Sequence, residues 1–474
     1  MNIAFTSHHN WEWVFKRAIT NIECTLNEFE EKERCSFSYC ERYSDLPSVA
    51  REKQSGQEKR KIEYALFRVD VVLQSSNTLF SVIRNTSPTF QRLDAKDLFY
   101  LKSLNCYLQH HSEAQLNELG YYECPYLPRT KLVPWNIFDG VDRADCLEKL
   151  SKFVGQFPST PAVLKAPMGS GGFGIYFVYH YDDIIEIMLN HSRRAREDVQ
   201  FLSKIEQTYS LESIPLSWSL QEFICPIKCE LPAISRLESG VKQRTQVRAY
   251  VIECEGKFYL YRDYEVRCPS WDIPLEEVLA AELSLYSQSE NRVGGRTVVW
   301  EDPTEEECCG KGFGRPYNEK RNKKFTYRFV LDEVDELAPA IPTITARLLE
   351  CFHDLKDLLL LERGKALATA SPSALRMVTS SIIGIDLLVA HSADGNEFEA
   401  KIVEVNNNPA MPMQGKQMSP SYEKHLVELH MSFIGLNIHH SLETNSDTQT
   451  MDSPLLPRLR DFAATHFQKF ILIE

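Results

Sequence analysis

The stretch that most constrains this chain lies in its last hundred residues, where two apolar runs flank a short polar one. Residues 380–390 are largely apolar around Asp386, residues 391–397 are polar, and Ile402, Val403 and Val405 resume the apolar pattern around Glu404 and Asn406. Two strand-length runs with a short polar link predict an antiparallel hairpin. In an extended strand, residues two apart point to the same face, so Glu404 and Asn406 present their oxygens side by side. Pairing of the two runs lets Asp386 join them. Three hard oxygen donors on a rigid sheet suit Mg²⁺, with waters and phosphate oxygens completing its shell. Taken alone the segment has a plainer reading, solvated carboxylates and an Asn-rich turn before Pro409. The residues upstream decide between the two.

At 474 residues the chain is long enough for two or three connected lobes. Hydrophobic residues make up 43% and charged residues 25%, which is ordinary for a soluble protein. The start shows no basic patch followed by a long apolar run, so no signal peptide is expected. No apolar stretch approaches membrane-spanning length, the nearest being interrupted by Asp386. The 13 cysteines are odd in number and lack paired spacing for zinc, which predicts free thiols in a reducing cytoplasm. A formal net charge of −13 argues against broad nucleic-acid binding. The expectation is a cytoplasmic monomer without membrane or nucleic-acid partners.

Patterning divides the chain into a small N-terminal α/β domain over 1–90, a lobe over 91–225, a second over 226–440, and a linker with a final helix over 441–474. The first holds a strand at 2–6, a helix at 11–22 and an apolar element at 63–74, with charged surface segments at 28–34 and 50–60. A helix over 93–109, capped by Asp94, presents Leu98, Leu101, Leu104, Tyr107 and Leu108 on one side. Extended backbone at 126–133 and a helix over 144–157 follow. Residues 162–165 and 175–179 read as strands around a glycine loop, 182–190 as a helix and 191–198 as a polar, basic loop. Residues 216–224 form an apolar strand, and 245–254 and 257–266 two strands joined across Glu255 and Gly256. Long helices are expected over 341–366 and 422–436, and a final amphipathic one over 455–470.

Chemistry-bearing residues recur in a fixed order. Lys165 ends a strand just before Gly169, Ser170, Gly171, Gly172 and Gly174. Glycines let backbone N–H groups approach phosphate oxygens, and a buried lysine adds a point charge. The loop is neither a P-loop nor a dinucleotide fingerprint, and a glycine-rich hairpin turn is its equal alternative. The next strand carries Gln221, Glu222 and Ile224 at what can be the edge of a base-binding slot. Arg244, Gln246 and Arg248 then fall on one strand face by period two, with Val247, Ala249 and Val251 on the other, and Arg267 follows the partner strand. Solvation explains one such arginine; converging guanidinium groups beside an acid cluster better suit phosphate or acylphosphate charge.

This order resembles the ATP-grasp superfamily. Residues 246–252, 259–267, Gly384-Ile385-Asp386 and Val403-Glu404-Val405-Asn406-Asn407-Asn408-Pro409 look most like tubulin–tyrosine ligase-like proteins, over roughly residues 93–440. The resemblance implies an α/β (or α+β) chain whose ATP-grasp fold clamps ATP between two α/β lobes, with a small α/β domain ahead of them. It assigns Lys165 and the glycines to the ATP phosphates, with Lys96 or Lys102 as an earlier phosphate-side lysine. Gln221, Glu222 and Ile224 edge the adenine, and Arg248 and Arg267 bind the γ-phosphate or the acceptor carboxylate. Arg244 stands where the family has a basic residue, and Asp386, Glu404 and Asn406 hold Mg²⁺. The chain departs from the family at Gln246, where an acid is usual, and at 283–295, where the family's His-x-Thr-Asn segment is missing.

The implied activity is ATP-dependent ligation of a carboxylate to an amine through an acylphosphate. In this family the carboxylate sits on an acidic protein tail such as tubulin's, and the amine is a free amino acid. A basic run of Lys311, Arg315, Lys320, Arg321, Lys323, Lys324 and Arg328 can dock such a tail, although a solvated loop is the commoner meaning of a charge run. Two alternatives are a ligase for a small molecule or another peptide, and a nucleotide-binding scaffold without ligation.

Overall fold

The computed structural model describes residues 2–6, 9–27, 36–39, 70–75, 78–84, 93, 95–114, 116, 120–156, 162–167, 175–178, 180–195, 216–234, 242–254, 256–268, 327–368, 380–406, 409, 418–444 and 455–473. The glycine loop, the charged segments at 28–34 and 50–60, residues 283–295 and the basic run up to Lys324 lie outside them. Helices combine with sheets that are antiparallel in all but one described strand pairing, so the chain is α+β.

A first sheet orders β2 (Ser36–Tyr39), β1 (Asn2–Thr6), β3 (Asp70–Ser75) and β4 (Thr78–Arg84), with α1 (His9–Asn27) between β1 and β2. Helix α1 repeats apolar residues every four positions, at Val14, Ala18, Ile22 and Leu26, and all four are buried. They share a core with helices from the far end of the chain, so α1 is tied to residues between Met418 and Phe470.

Helix α2 spans Lys96–His110. The capping position is Ala95 rather than Asp94, and no side chain caps it. Asp97 takes over at the first turn: its carboxylate accepts from Leu98 N and from Ser217 N, both at 2.9 Å. The buried side runs through Leu98, Phe99, Ser103 and Cys106; of the expected face, Leu98 is buried, Leu104 and Tyr107 are half-buried against the core, and Leu101 and Leu108 are half-buried.

A second sheet orders β5 (Thr130–Pro134), β8 (Ser217–Glu222), β6 (Ala162–Lys165) and β7 (Ile175–Val178). Helices α3 (Arg143–Val154) and α4 (Tyr181–Ala195) share one core with it, built on Leu150, Leu164, Ile184, Met188, Trp218 and Leu220. Helix α4 runs on through Ala195, so residues 191–195 continue a helix where the sequence reading placed a loop.

The third and largest sheet is centred on β11 (Gln246–Cys254), preceded by a ribbon of β9 (Lys228–Glu230) and β10 (Lys242–Arg244). Arg244 therefore belongs to β10, not to the strand of Arg248. The expected single partner strand is two: β12 (Lys257–Tyr261) pairs the C-terminal half of β11, and β13 (Glu265–Cys268) pairs its first residues. Strand β14 (Tyr327–Val330) extends the sheet beyond β13. After α5 (Ile341–Ala368), the hairpin of β15 (Ser380–His391) and β16 (Phe398–Asn406) joins the other side of β11. Helices α6 (Pro420–Thr444) and α7 (Leu455–Phe467) follow, and Phe470–Ile473 forms an unforeseen edge strand, β17, on β12.

Both faces of this sheet are covered, which is why β11 reads as a nearly continuous apolar run. Val247, Ala249 and Val251 face α5 with Ile385, Leu387, Ile402 and Val405. Tyr250, Ile252 and Ile382 share the other core with α1, α6 and α7. Arg248 lies on this second face, and it is buried there, not solvated.

Candidate functional site

Strand register lines up the charged residues. Side chains directly opposite on paired strands share a face. One row runs Glu265, Arg248, Asp386, Glu404 across β13, β11, β15 and β16. A neighbouring row runs Gln246, Arg267, Arg328, and another Tyr250, Gly384, Asn406. The two strand ends singled out in the sequence and the two arginines thus come to one sheet face.

A β-bulge shapes this region. Asp386 pairs with Glu404 but Leu387 pairs with Ile402, leaving Val403 as the extra residue. The insertion lets Ile402 and Val405, three residues apart, both face the α5 core, while Glu404 and Asn406 keep the opposite face. The Val403 carbonyl also receives a hydrogen bond from Lys165 Nζ at 3.3 Å. Lys165 arrives from the second sheet, where it pairs with Ser219 and shares a face with Gln221, opposite the Leu164–Leu220 core. Lys96 is held beside it by a bond from its backbone N to the Pro167 carbonyl, and its Nζ lies 3.6 Å from Glu404 Oε1. Of the two lysines the sequence left open, Lys96 is the one at the cluster. Lys102 lies further along α2, near Cys106.

Asp386 is the hub. Both carboxylate oxygens accept from Arg248, from Nε at 2.5 Å and Nη2 at 2.7 Å. Asn406 Nδ2 donates to Oδ2 at 3.1 Å, and Arg267 Nη1 lies 3.9 Å from Oδ1. Burial opposes the charge on Asp386, but Arg248 and Arg267 outweigh it and hold its carboxyl below the usual range. Gly384 makes the pair possible. A Cβ there would sit 2.9 Å from Pro409 Cβ and 3.4 Å from Arg248 Cδ and Nε.

Behind this pair lies Glu265, which sequence reasoning passed over. Its Oε1 accepts from Arg267 Nε at 2.6 Å and from Arg328 Nη1, and its Oε2 accepts from Tyr250 OH at 2.6 Å. Burial again opposes ionisation, and Arg267, Arg328 and Arg248 overcome it, so the carboxyl sits far below its ordinary value. Glu265 stands two residues before Arg267, so the period-two rule that grouped the arginines could have found it. Burial pulls the Lys165 ammonium down to about 8, against the attraction of Glu404 and Asp386.

The remaining candidates are more dispersed. Gln221 is buried on the Lys165 face, and Ile224 is half-buried past the end of β8. The carboxylate of Glu222 is taken by Arg129, whose backbone N and Nε donate to it at 2.8 and 2.6 Å. Gln246 is half-buried at the start of β11. Gly169, Ser170, Gly171, Gly172 and Gly174 lie outside the described residues, as does the side chain of Arg244.

Charge defines what this face can accept. Lys96, Lys165, Arg248, Arg267 and Arg328 stand against Glu265, Asp386 and Glu404, a surplus of two positive charges. Arg267 Nη2 is buried with no hydrogen-bond partner among the described residues. A buried guanidinium donor is costly to leave unpaired, so an acceptor is expected beside Nη2. As metal donors, Glu404 and Asn406 are half-buried and adjacent, and their oxygens suit a hard divalent ion such as Mg²⁺. Asp386 has the right chemistry but shares its oxygens with Arg248. No described group of three His, Cys, Asp or Glu residues is arranged to hold a metal; the set here is two carboxylates and an amide.

The sequence matches no family model, and no curated protein matches it. Among solved structures, the chain is similar to the crystal structure of the C-terminal domain from K. lactis Pby1, described as an ATP-grasp enzyme interacting with the mRNA decapping enzyme Dcp2. The identity is 13% and the TM-score 0.44, over 99% of this chain and 98% of that one. A likeness at this level assigns no residue, and the site stands on its own geometry. No helix among the described residues is long and apolar enough to cross a membrane.

Proposed function

We propose that this chain is an ATP-grasp carboxylate–amine ligase, forming an amide through an acylphosphate at the expense of ATP. The observation that carries the reading is the buried, cation-rich sheet face, where Arg267 Nη2 has no hydrogen-bond partner among the described residues. A triphosphate and a carboxylate are the anions such a face neutralises, and the Glu404–Asn406 pair beside it suits their counter-ion.

In this reading Lys96 and Lys165 hold the inner phosphates, Arg267 the γ-phosphoryl group, and Arg248 the acceptor carboxylate. Bound through Glu404, Asn406 and Asp386, Mg²⁺ would neutralise phosphate charge. An oxygen of the acceptor carboxylate attacks the γ-phosphorus, the bond to the bridging oxygen breaks, and ADP leaves with that electron pair. The amine then attacks the acyl carbon, phosphate leaves with the carboxylate oxygen, and the amine proton passes to solvent. Phosphoryl transfer of this kind needs positioning and charge neutralisation more than a protein nucleophile. The resemblance to tubulin–tyrosine ligase-like proteins makes an acidic protein tail and a free amino acid the favoured substrates.

One observation favours the second reading, a nucleotide-binding scaffold. Arg248 occupies both oxygens of Asp386, so an ion that needs Asp386 has to compete with a buried guanidinium. ATP turnover separates the readings when assayed with and without a glutamate-ended acidic peptide and a mixture of amino acids. Ligation predicts ADP release that requires both. Nucleotide binding with no turnover for any acceptor supports the scaffold, and turnover with a small-molecule acid alone removes the protein substrate.

A further inference from the structure

The geometry points to Glu265 as a positioning residue that aims Arg267 at the terminal phosphate of a bound nucleotide, with Tyr250 and Arg328 holding Glu265 in place. The inference rests on the phosphate reading above and adds the device by which one of its arginines is preorganised.

Glu265 is fully buried and every oxygen of it is committed. Oε2 takes the phenol of Tyr250, which rises from the central strand; Oε1 takes Arg267 Nε and Arg328 Nη1. A guanidinium is a rigid plane with five donors, so fixing its Nε edge fixes the direction of both terminal nitrogens. For Arg267 the result is that Nη1 faces Asp386 at 3.9 Å while Nη2 is left buried with no partner among the described residues. A long flexible side chain becomes a donor held in advance, with little rotamer entropy left to lose on binding an anion. A carboxylate serving only to balance charge has no need to grip the Nε edge of one arginine and the Nη1 of another. Arg328 stands opposite Arg267 in the strand pairing, so Glu265 also offsets the repulsion between them.

The test compares the affinity of AMP-PNP with that of ADP, both with Mg²⁺, by calorimetry on the full chain. The ratio isolates the γ-phosphoryl contribution. Glu265→Gln preserves shape and removes the charge; it is expected to shrink the ratio about tenfold, the lower end of what partners orienting a metal ligand are worth, with a smaller loss for ADP. Arg267→Lys is expected to shrink the ratio comparably, and the double variant to be no worse than Arg267→Lys alone. Tyr250→Phe, which deletes one hydroxyl from the same carboxylate, is expected to lower the ratio by about threefold, a single hydrogen bond's worth. It decides the question if Glu265→Gln does not fold. Equal losses for both nucleotides, or additive effects in the double variant, overturn the positioning role. A ratio that moves in Arg267→Lys but not in Glu265→Gln and Tyr250→Phe overturns this inference alone. A ratio unmoved in Arg267→Lys, or no binding of either nucleotide, overturns the phosphate reading and this inference with it.

Discussion

Replacing Asp386 with Asn removes the hub of the charged face, and the structure gives its cost an asymmetry. Arg248 and Asp386 are each only 4% exposed, and two charge-assisted hydrogen bonds of 2.5 and 2.7 Å join them. Breaking a buried pair by removing one member typically costs about 3–5 kcal/mol, because the other charge is stranded. Asp386→Asn strands Arg248 and weakens the hold on Arg267, leaving three arginines to Glu265, so the upper part of that range is expected. Arg248→Met leaves Asp386 with Asn406 Nδ2 at 3.1 Å and Arg267 at 3.9 Å, so its cost belongs near the lower end. The double variant should cost less than the two singles together, with a coupling of about 1–3 kcal/mol. Denaturant unfolding at neutral pH measures all three. Acid supplies a second arm. The folded-state pKa of Asp386 is depressed, so the pair's contribution is full above the unfolded value of about 3.9 and is lost as pH falls through the folded value. The gap between wild type and Asp386→Asn should therefore close in acid. A cost below about 1 kcal/mol, the level of an exposed pair, or strict additivity, refutes the buried-pair argument.

Glu404→Gln removes one donor charge from a partly exposed position with Lys96 Nζ 3.6 Å away. Ligation should be abolished while unfolding stability changes by less than about 1 kcal/mol, and full activity in this variant would refute the site assignment. Gly384→Ala places a methyl against Pro409 and Arg248. Crowding of this kind costs about 1–3 kcal/mol, and thermal melts together with AMP-PNP binding should both record the displaced Arg248. His430 on α6 is fully buried, and burial lowers its pKa to about 4. Below about 6.5 the unfolded chain takes up a proton that the fold refuses until about 4, so acidification across that window destabilises by up to about 1.4 kcal/mol per pH unit. His440, held down to about 4 by burial, and His425, lowered by burial, act in the same direction, so His430→Leu should reduce that slope without removing it, and an unchanged slope would show that His430 does not contribute.

How far the sequence could be read depended on the range of the interaction that fixes each feature. The hairpin of β15 and β16 was legible because its turn, its apolar runs and its acids lie within thirty residues. The bulge at Val403 was not, since it is set by the need of Ile402 and Val405 to reach one core under α5. Period two grouped Arg248 with its neighbours, but nothing local signalled that strand β11 starts after Arg244 or that α6 covers the face of Arg248. Glu265 shows the same limit. Its position beside Arg267 was visible, but its importance depends on Tyr250 and Arg328 arriving from two other strands. Strand β17 escaped notice because four apolar residues after a helix look like the end of that helix, and only the free edge of β12 makes them a strand.

Oxygen-18 tests directly whether an acceptor carboxylate is activated as an acylphosphate. A glutamate-ended peptide labelled with oxygen-18 in its carboxylate is incubated with the protein, Mg²⁺, ATP and amino acids, and the released phosphate is analysed by mass spectrometry. Attack of the carboxylate on the γ-phosphorus predicts phosphate carrying one labelled oxygen for each amide formed. Unlabelled phosphate, which is what water attack on ATP produces, or phosphate release without amide formation, would contradict it.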